Sequence, residues 1–406
     1  MKLAWSPLTP PGLRWWPLVA VAVAAACGGS DGDPGEADTV SPSGSRTGAA
    51  ATPRIPDVEG WQTDWSKSTI DTSELIRGIG SSDPRDQIPP IDEPIFERAE
   101  EASDWLDDRE PVALLELNGE ARAYPLRILT WHEIVNDQFG PTPVVVTYCP
   151  LCNTALAFDR RVGDRELTFG TSGLLRNSDL VMWDRQTESL WQQVTGEGIV
   201  GELAGEQLEF LPLSLVSWKD FREGFPNGIV LSQETGFDRA YGNNPYEFYD
   251  SASRPFLFDG EIDDRYPAME RVIGVLAGES AKGYPFSVIQ EERAVNNEVG
   301  GEPLVVLWGS DDTASALNHV EIPLGRAVGV GVAYRRSVDG QTLTFAPDGE
   351  LFRDNETGST WNVLGRAVEG PLAGEQLEPV VHANHLWFAW AAFFPDIDVY
   401  AGRGES

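Results

Sequence analysis

Residues 121–150 read ARAYPLRILTWHEIVNDQFGPTPVVVTYCP, and residues 281–310 read AKGYPFSVIQEERAVNNEVGGEPLVVLWGS. Tyr124 and Pro125 answer Tyr284 and Pro285, Asn136 answers Asn296, and the run Val144-Val145-Val146 answers Leu304-Val305-Val306. Further along, LAGEQLE stands at residues 203–209 and again at 372–378. Between these anchors, RELTFGTSGLLRNSDLVMWDRQTESLW (165–191) answers QTLTFAPDGELFRDNETGSTW (341–361). The offset grows from 160 residues at the first anchor to 169 at the second, a difference that loop insertions explain. Duplication is the simplest account, and it predicts two tandem pseudo-symmetric repeats.

Working outward, the first copy predicts a strand over 112–117 and an amphipathic helix over 126–136. Short strands follow at 144–148, 155–160, 167–169, 180–184, 191–194, 199–201 and 208–211, with Gly, Asp or Asn between them. A helix over 218–224 and a strand over 229–232 close the unit. The expected class is α+β, mainly antiparallel β, each repeat a β-rich sandwich or barrel-like unit with short helices. The expected organisation is a first repeat over 58–234, a connecting segment over 235–270 ordered by its aromatics, and a second, degenerate repeat over 271–406.

The N-terminal residues predict export. Lys2 and Arg14 precede the apolar stretch WWPLVAVAVAAA, and small residues lead into Cys27 and a Gly/Ser/Asp-rich stretch. That stretch falls short of the ~20 residues that span a bilayer but suits the core of a signal peptide over residues 1–26. The pattern resembles a bacterial lipoprotein processing site, with lipidation of Cys27 expected and ordinary cleavage of a secreted protein as the alternative. Residues 27–57 lack the apolar content to fold and read as a tether. The expected location is therefore extracytoplasmic, on the periplasmic or extracellular face, held to the cell or outer membrane through the lipid alone.

The net charge is −34, with 64 acidic against 30 basic residues, and Lys occurs only at positions 2, 67, 219 and 282. Such a surface repels nucleic acid. Beyond the tether there is no Gly-rich phosphate loop and no Gly-x-Ser-x-Gly elbow, and Asn153 after Cys152 removes the haem motif.

A duplicated chain needs both copies to fold but only one to carry a site. His132-Glu133 aligns with Glu292-Arg293, and Tyr148-Cys149-Pro150-Leu151-Cys152 aligns with Trp308-Gly309-Ser310-Asp311-Asp312. The constellation lost from the second copy is the candidate site. Cys-x-x-Cys brings two sulfurs close enough to share a metal ion or to form a disulfide. With His132 as a third ligand the set suits zinc or copper, and Glu133 would be a further ligand or a proton-transfer group. Without metal, Cys149 and Cys152 would be a dithiol/disulfide couple; a purely structural pair is the third reading. Arg185 would bind an anionic substrate or lower a thiol pKa, unless it is spent in salt-bridged turns. His382 and His385 have the spacing of one helical face, either completing the site across the two lobes or starting an aromatic-packed helix. Thr187, Ser189 and Trp191 recur as Thr357, Ser359 and Trp361 and read as structural.

WHEIVND (131–137), TYCPLCNT (147–154) and SGLLRNSDLVMWDRQTESLWQQ (172–193) together resemble a bacterial family catalogued as domain of unknown function 3179. The resemblance runs from about residue 85 to about 400. It implies that these blocks matter, and it implies no particular reaction.

Overall fold

The computed structural model describes residues 60–403; the expected signal peptide, the lipidation position Cys27 and the tether lie outside them. The described residues belong to one compact unit. They are mainly antiparallel β, with five α-helices of no more than seven residues each.

The strands form because β-branched and aromatic residues run through them. In Thr142–Cys149 every residue from Pro143 onward is buried, so the run is continuously apolar rather than alternating. That is the signature of a strand covered on both faces. It lies between Ile134–Phe139 and Thr154–Asp159, antiparallel to both. A second sheet orders Leu213–Ser217, Pro111–Leu117, Glu120–Pro125, Ile229–Leu231 and Phe96–Arg98, with one parallel pairing, between Glu120–Pro125 and Ile229–Leu231. A third carries Phe169–Arg176, Asp179–Asp184, Leu190–Gln192 and Gly198–Val200.

The later part of the chain shows the same local order. Arg271–Ala277 pairs with Ser280–Pro285, the helix Phe286–Glu292 follows, and then come Ala294–Val299, Glu302–Gly309 and Val330–Arg335. In both places a left-handed residue caps the helix, Glu133 at φ 59° and Arg293 at φ 58°. Two buried turns also match. Asp184 accepts from Thr187 N, Ser189 N and Trp191 Nε1, and Asp354 accepts from Thr357 N and Trp361 Nε1. Thr187, Ser189 and Trp191 therefore do structural work.

One core cluster takes residues from both stretches, with Val112, Trp218 and Phe221 packed together with Val305, Tyr334 and Trp361. The strand Val381–Leu386 pairs with Arg271–Ala277 and also packs on Thr154–Asp159 and Leu213–Ser217. Late residues therefore buttress early ones.

Two expectations change. The helix expected over 126–136 ends at His132, because Glu133 turns left-handed and the β-branched Ile134 and Val135 enter a strand. The hairpin strand Phe169–Arg176 is longer than expected, and a bulge between Thr171 and Leu174 bends it. Gly173 sits there at φ 71°, where a Cβ would lie 2.5 Å from Pro84 Cβ.

Asp184→Ala would leave the buried Trp191 indole N–H and the part-buried Thr187 N–H without their acceptor. The expected cost is about 2–4 kcal/mol, read as a lower urea midpoint at unchanged m-value; a change under about 0.5 kcal/mol would contradict the role given to this turn.

Candidate functional site

Cys149 ends its strand opposite Thr154, so residues 150–153 form a four-residue loop that carries Cys152. Asn153 closes the loop at φ 54°, a left-handed position that Asn tolerates, and its N–H donates to Pro150 O at 3.2 Å. The late strand clamps this knuckle. Leu386 N donates to Cys152 O at 2.8 Å, and Asn153 Nδ2 donates to Asn384 O at 3.2 Å.

A second hairpin points its tip at the knuckle. Arg176 pairs with Asp179 across Asn177 and Ser178, which sit at φ 51° and 63°. Two consecutive positive φ values are the inverted turn that suits a twisted two-residue hairpin. Both thiols donate to the Ser178 carbonyl oxygen, Cys149 at 3.6 Å and Cys152 at 3.4 Å. Asp179 follows at once. It is fully buried, and its Oδ2 accepts from Gln192 Nε2 at 2.6 Å and Val194 N at 3.0 Å. Its Oδ1 is buried without any N–H or O–H donor. One carboxylate oxygen of Asp179 and the two sulfurs lie within 4.8 Å of one another.

Glu133 stands beside this group. Its carbonyl accepts from Tyr148 N at 2.7 Å, and its carboxylate Oε1 accepts from Tyr246 Oη at 3.1 Å. Burial pushes Glu133 up to about 7 and Asp179 up to about 6. Burial also raises both thiols, Cys152 well above its ordinary value. Among the charges acting on Cys149 are those of Asp179 and Glu133, and both oppose its ionisation. The cluster is thus three acids close together with the Glu133 carboxyl beside them, an arrangement that a bound cation would relieve.

The site opens beside a cleft of about 690 Å³, whose wall includes Glu133, Leu151, Leu180, Tyr246 and Tyr249. Segment 235–270 supplies the two tyrosines, so the aromatics of that segment pack against the site.

His132 does not join the thiols. Its Nδ1 pairs with Pro89 O at 2.7 Å and its Nε2 with Tyr241 Oη at 2.6 Å. The left-handed turn at Glu133 explains this, because it sends residues 132 and 133 to different neighbours. The third group near the sulfurs is Asp179. Arg185 also falls elsewhere. It follows the far end of Asp179–Asp184, roughly 16–20 Å from Asp179 at ~3.3 Å per residue, and it pairs with Asp86 at 3.2 Å and Asp92 at 2.9 Å. His382 and His385 lie on a strand, not a helix, so their spacing puts them on opposite faces. His382 meets Ser214 Oγ at 3.4 Å, and His385 Nδ1 meets Thr154 Oγ1 at 2.8 Å under the knuckle. Burial pushes them down to about 4 and about 3, so both stay neutral at pH 7.

Residue spacing missed Asp179, yet a signal exists. The hairpin runs sixteen residues from Phe169 to Asp184 but ten from Phe345 to Asp354. The extra length carries Ser178 and Asp179 to the thiols.

For the metal-free protein the raised carboxyl values set a pH dependence. A carboxyl whose folded value exceeds its unfolded value favours the folded state most while protonated. Stability should therefore fall as pH rises from about 4.5 through about 7, by about 2–3 kcal/mol from Glu133. Glu133→Gln should flatten this fall in urea titrations at pH 5 and pH 8; an equal fall in both proteins would refute the assignment.

No curated protein and no solved structure matches the chain. Residues 85–397 match the family described as "Protein of unknown function (DUF3179)", and the chain belongs to that family.

Proposed function

We propose that the protein is an exported lipoprotein built from two copies of one ancestral unit. The first copy holds a thiophilic metal ion through Cys149, Cys152 and Asp179 and uses it for chemistry in the adjacent cleft. One observation carries this reading: a buried carboxylate, one of its oxygens without an N–H or O–H donor, within 4.8 Å of two buried thiols. In a tetrahedral site with bonds of ~2.0–2.3 Å, ligand atoms lie roughly 3.5–3.8 Å apart, so a small adjustment closes the set.

Zinc and copper both take thiolates. The carboxylate oxygen, in place of the expected imidazole, favours zinc, since Cu(I) prefers sulfur and nitrogen. Bound zinc would supply Lewis acidity and keep the thiols deprotonated. The chain's own groups do the rest. Gln192 and the Val194 N–H orient Asp179, the knuckle fixes both sulfurs, and Glu133, held near 7, takes or gives a proton at the cleft wall.

The thiol–disulfide reading has less support. The pair sits on a hairpin rather than at a helix start, and burial raises both thiols instead of activating them.

Elemental analysis of protein purified without chelator should find about one ion per chain. Cys149→Ser and Asp179→Asn should lose it, and Glu133→Gln should keep it. Metal-free wild type with a reversibly reducible Cys149–Cys152 disulfide would establish the thiol couple instead.

The anchor is tested separately. No helix among the described residues is long and apolar enough to cross a membrane. Full-length protein should partition into detergent, and Cys27→Ala should move it to the aqueous phase. Detergent partition unchanged by that substitution would refute lipidation.

A further inference from the structure

We propose that the cleft beside the thiols binds an uncharged, ring-sized organic molecule bearing a hydroxyl or carbonyl group, and that it presents this group to the Glu133 carboxyl. The inference rests on the reading of Cys149, Cys152 and Asp179 as the reactive centre and names the substrate class that centre would take.

The volume, about 690 Å³, is that of a small-molecule site. The inner wall belongs to the site itself, since Leu151 lies inside the Cys-x-x-Cys loop and Leu180 follows Asp179. Leu175, paired with Leu180 across the hairpin, continues this wall with Leu174 and Ile79 and keeps it apolar. At the rim stand Phe248 and Phe256, 54% and 58% exposed, two of the three exposed phenylalanines among the described residues. Exposed aromatics gathered at a cavity mouth mark a binding surface. Phe248 and Leu257, also on the rim, hold left-handed backbones at φ 58° and 53°. Bulky residues rarely keep that conformation, and it collects where a ligand is clamped.

Polarity inside the cleft is sparse and specific. The Tyr249 hydroxyl is spent on Leu151 O at 2.9 Å, and the Tyr246 hydroxyl on Glu133 Oε1 at 3.1 Å. The Glu133 carboxyl is thus the buried polar anchor of the wall, while Glu247 and Arg254 are exposed at the mouth. An anionic ligand meets a chain of net charge −34 and a carboxyl group on the cleft wall. A cationic one would leave water for leucine walls. A neutral ring with one hydrogen-bonding group meets neither cost.

The test uses the uncharged dye N-phenylnaphthylamine on the full chain, read by fluorescence, with naphthol and naphthoate as competitors. The dye should bind, and naphthol should displace it at a concentration about tenfold or more below naphthoate. Leu175→Arg and, at the exposed rim, Phe256→Ser should each weaken dye binding, the first by about tenfold or more, with metal content unchanged. Dye binding untouched by both substitutions, or naphthoate displacing as well as naphthol, would overturn the proposal. Metal retained with no dye bound overturns the cleft alone. Dye bound with this selectivity by wild-type protein that carries no metal overturns the metal centre and leaves the cleft standing.

Discussion

Four acidic groups share one dry corner of this fold, and that constraint organises what surrounds them. Cys149, Cys152, Asp179 and Glu133 are buried. Such a group ionises only with help, because burial penalises the charged form more than the hydrogen bonds from Gln192, Val194 and Tyr246 favour it. Asp250 shows the contrasting solution in the same protein: it is equally buried but faces Arg271 and Arg326, which hold it below the usual carboxylate range. Among the described residues, no Arg or Lys forms an ion pair with Asp179 or Glu133.

Sheet content and most strand positions were legible from alternation and breakers. The helix Trp218–Gly224 matches its expected limits, since Ser217 caps it by accepting from Asp220 N. The helix at Leu126 stops four residues short of its expected limit at 136. Periodicity alone runs through His132 into Glu133, and a left-handed turn at a glutamate has no signature in the residue pattern. The same turn misplaced His132, so its expected link to the sulfurs failed for a backbone reason. The Cys pair and Glu133 were legible because they differ between the two aligned stretches. Asp179 was not, because it is one acid among many, distinguished by hairpin reach rather than by residue type.

Residues that differ between the two aligned stretches point to a candidate site, but residues of the later stretch explain how it is held. The strand Val381–Leu386 contributes neither thiol nor carboxylate. It contributes the Leu386 N–H, the Asn384 carbonyl and His385, all placed against the knuckle loop or its first strand residue, Thr154. Under the duplication reading, the second copy lost its own sulfurs while serving as a brace for those of the first.

That brace has a consequence for the order of events in the cell. The clamp on Cys152 comes from residue 386 of a 406-residue chain. A chain made from its N-terminus delivers both sulfurs more than two hundred residues before it delivers their support. The knuckle therefore stays unclamped until residue 386 has been made. A product truncated before Leu386 carries both cysteines but lacks the clamp.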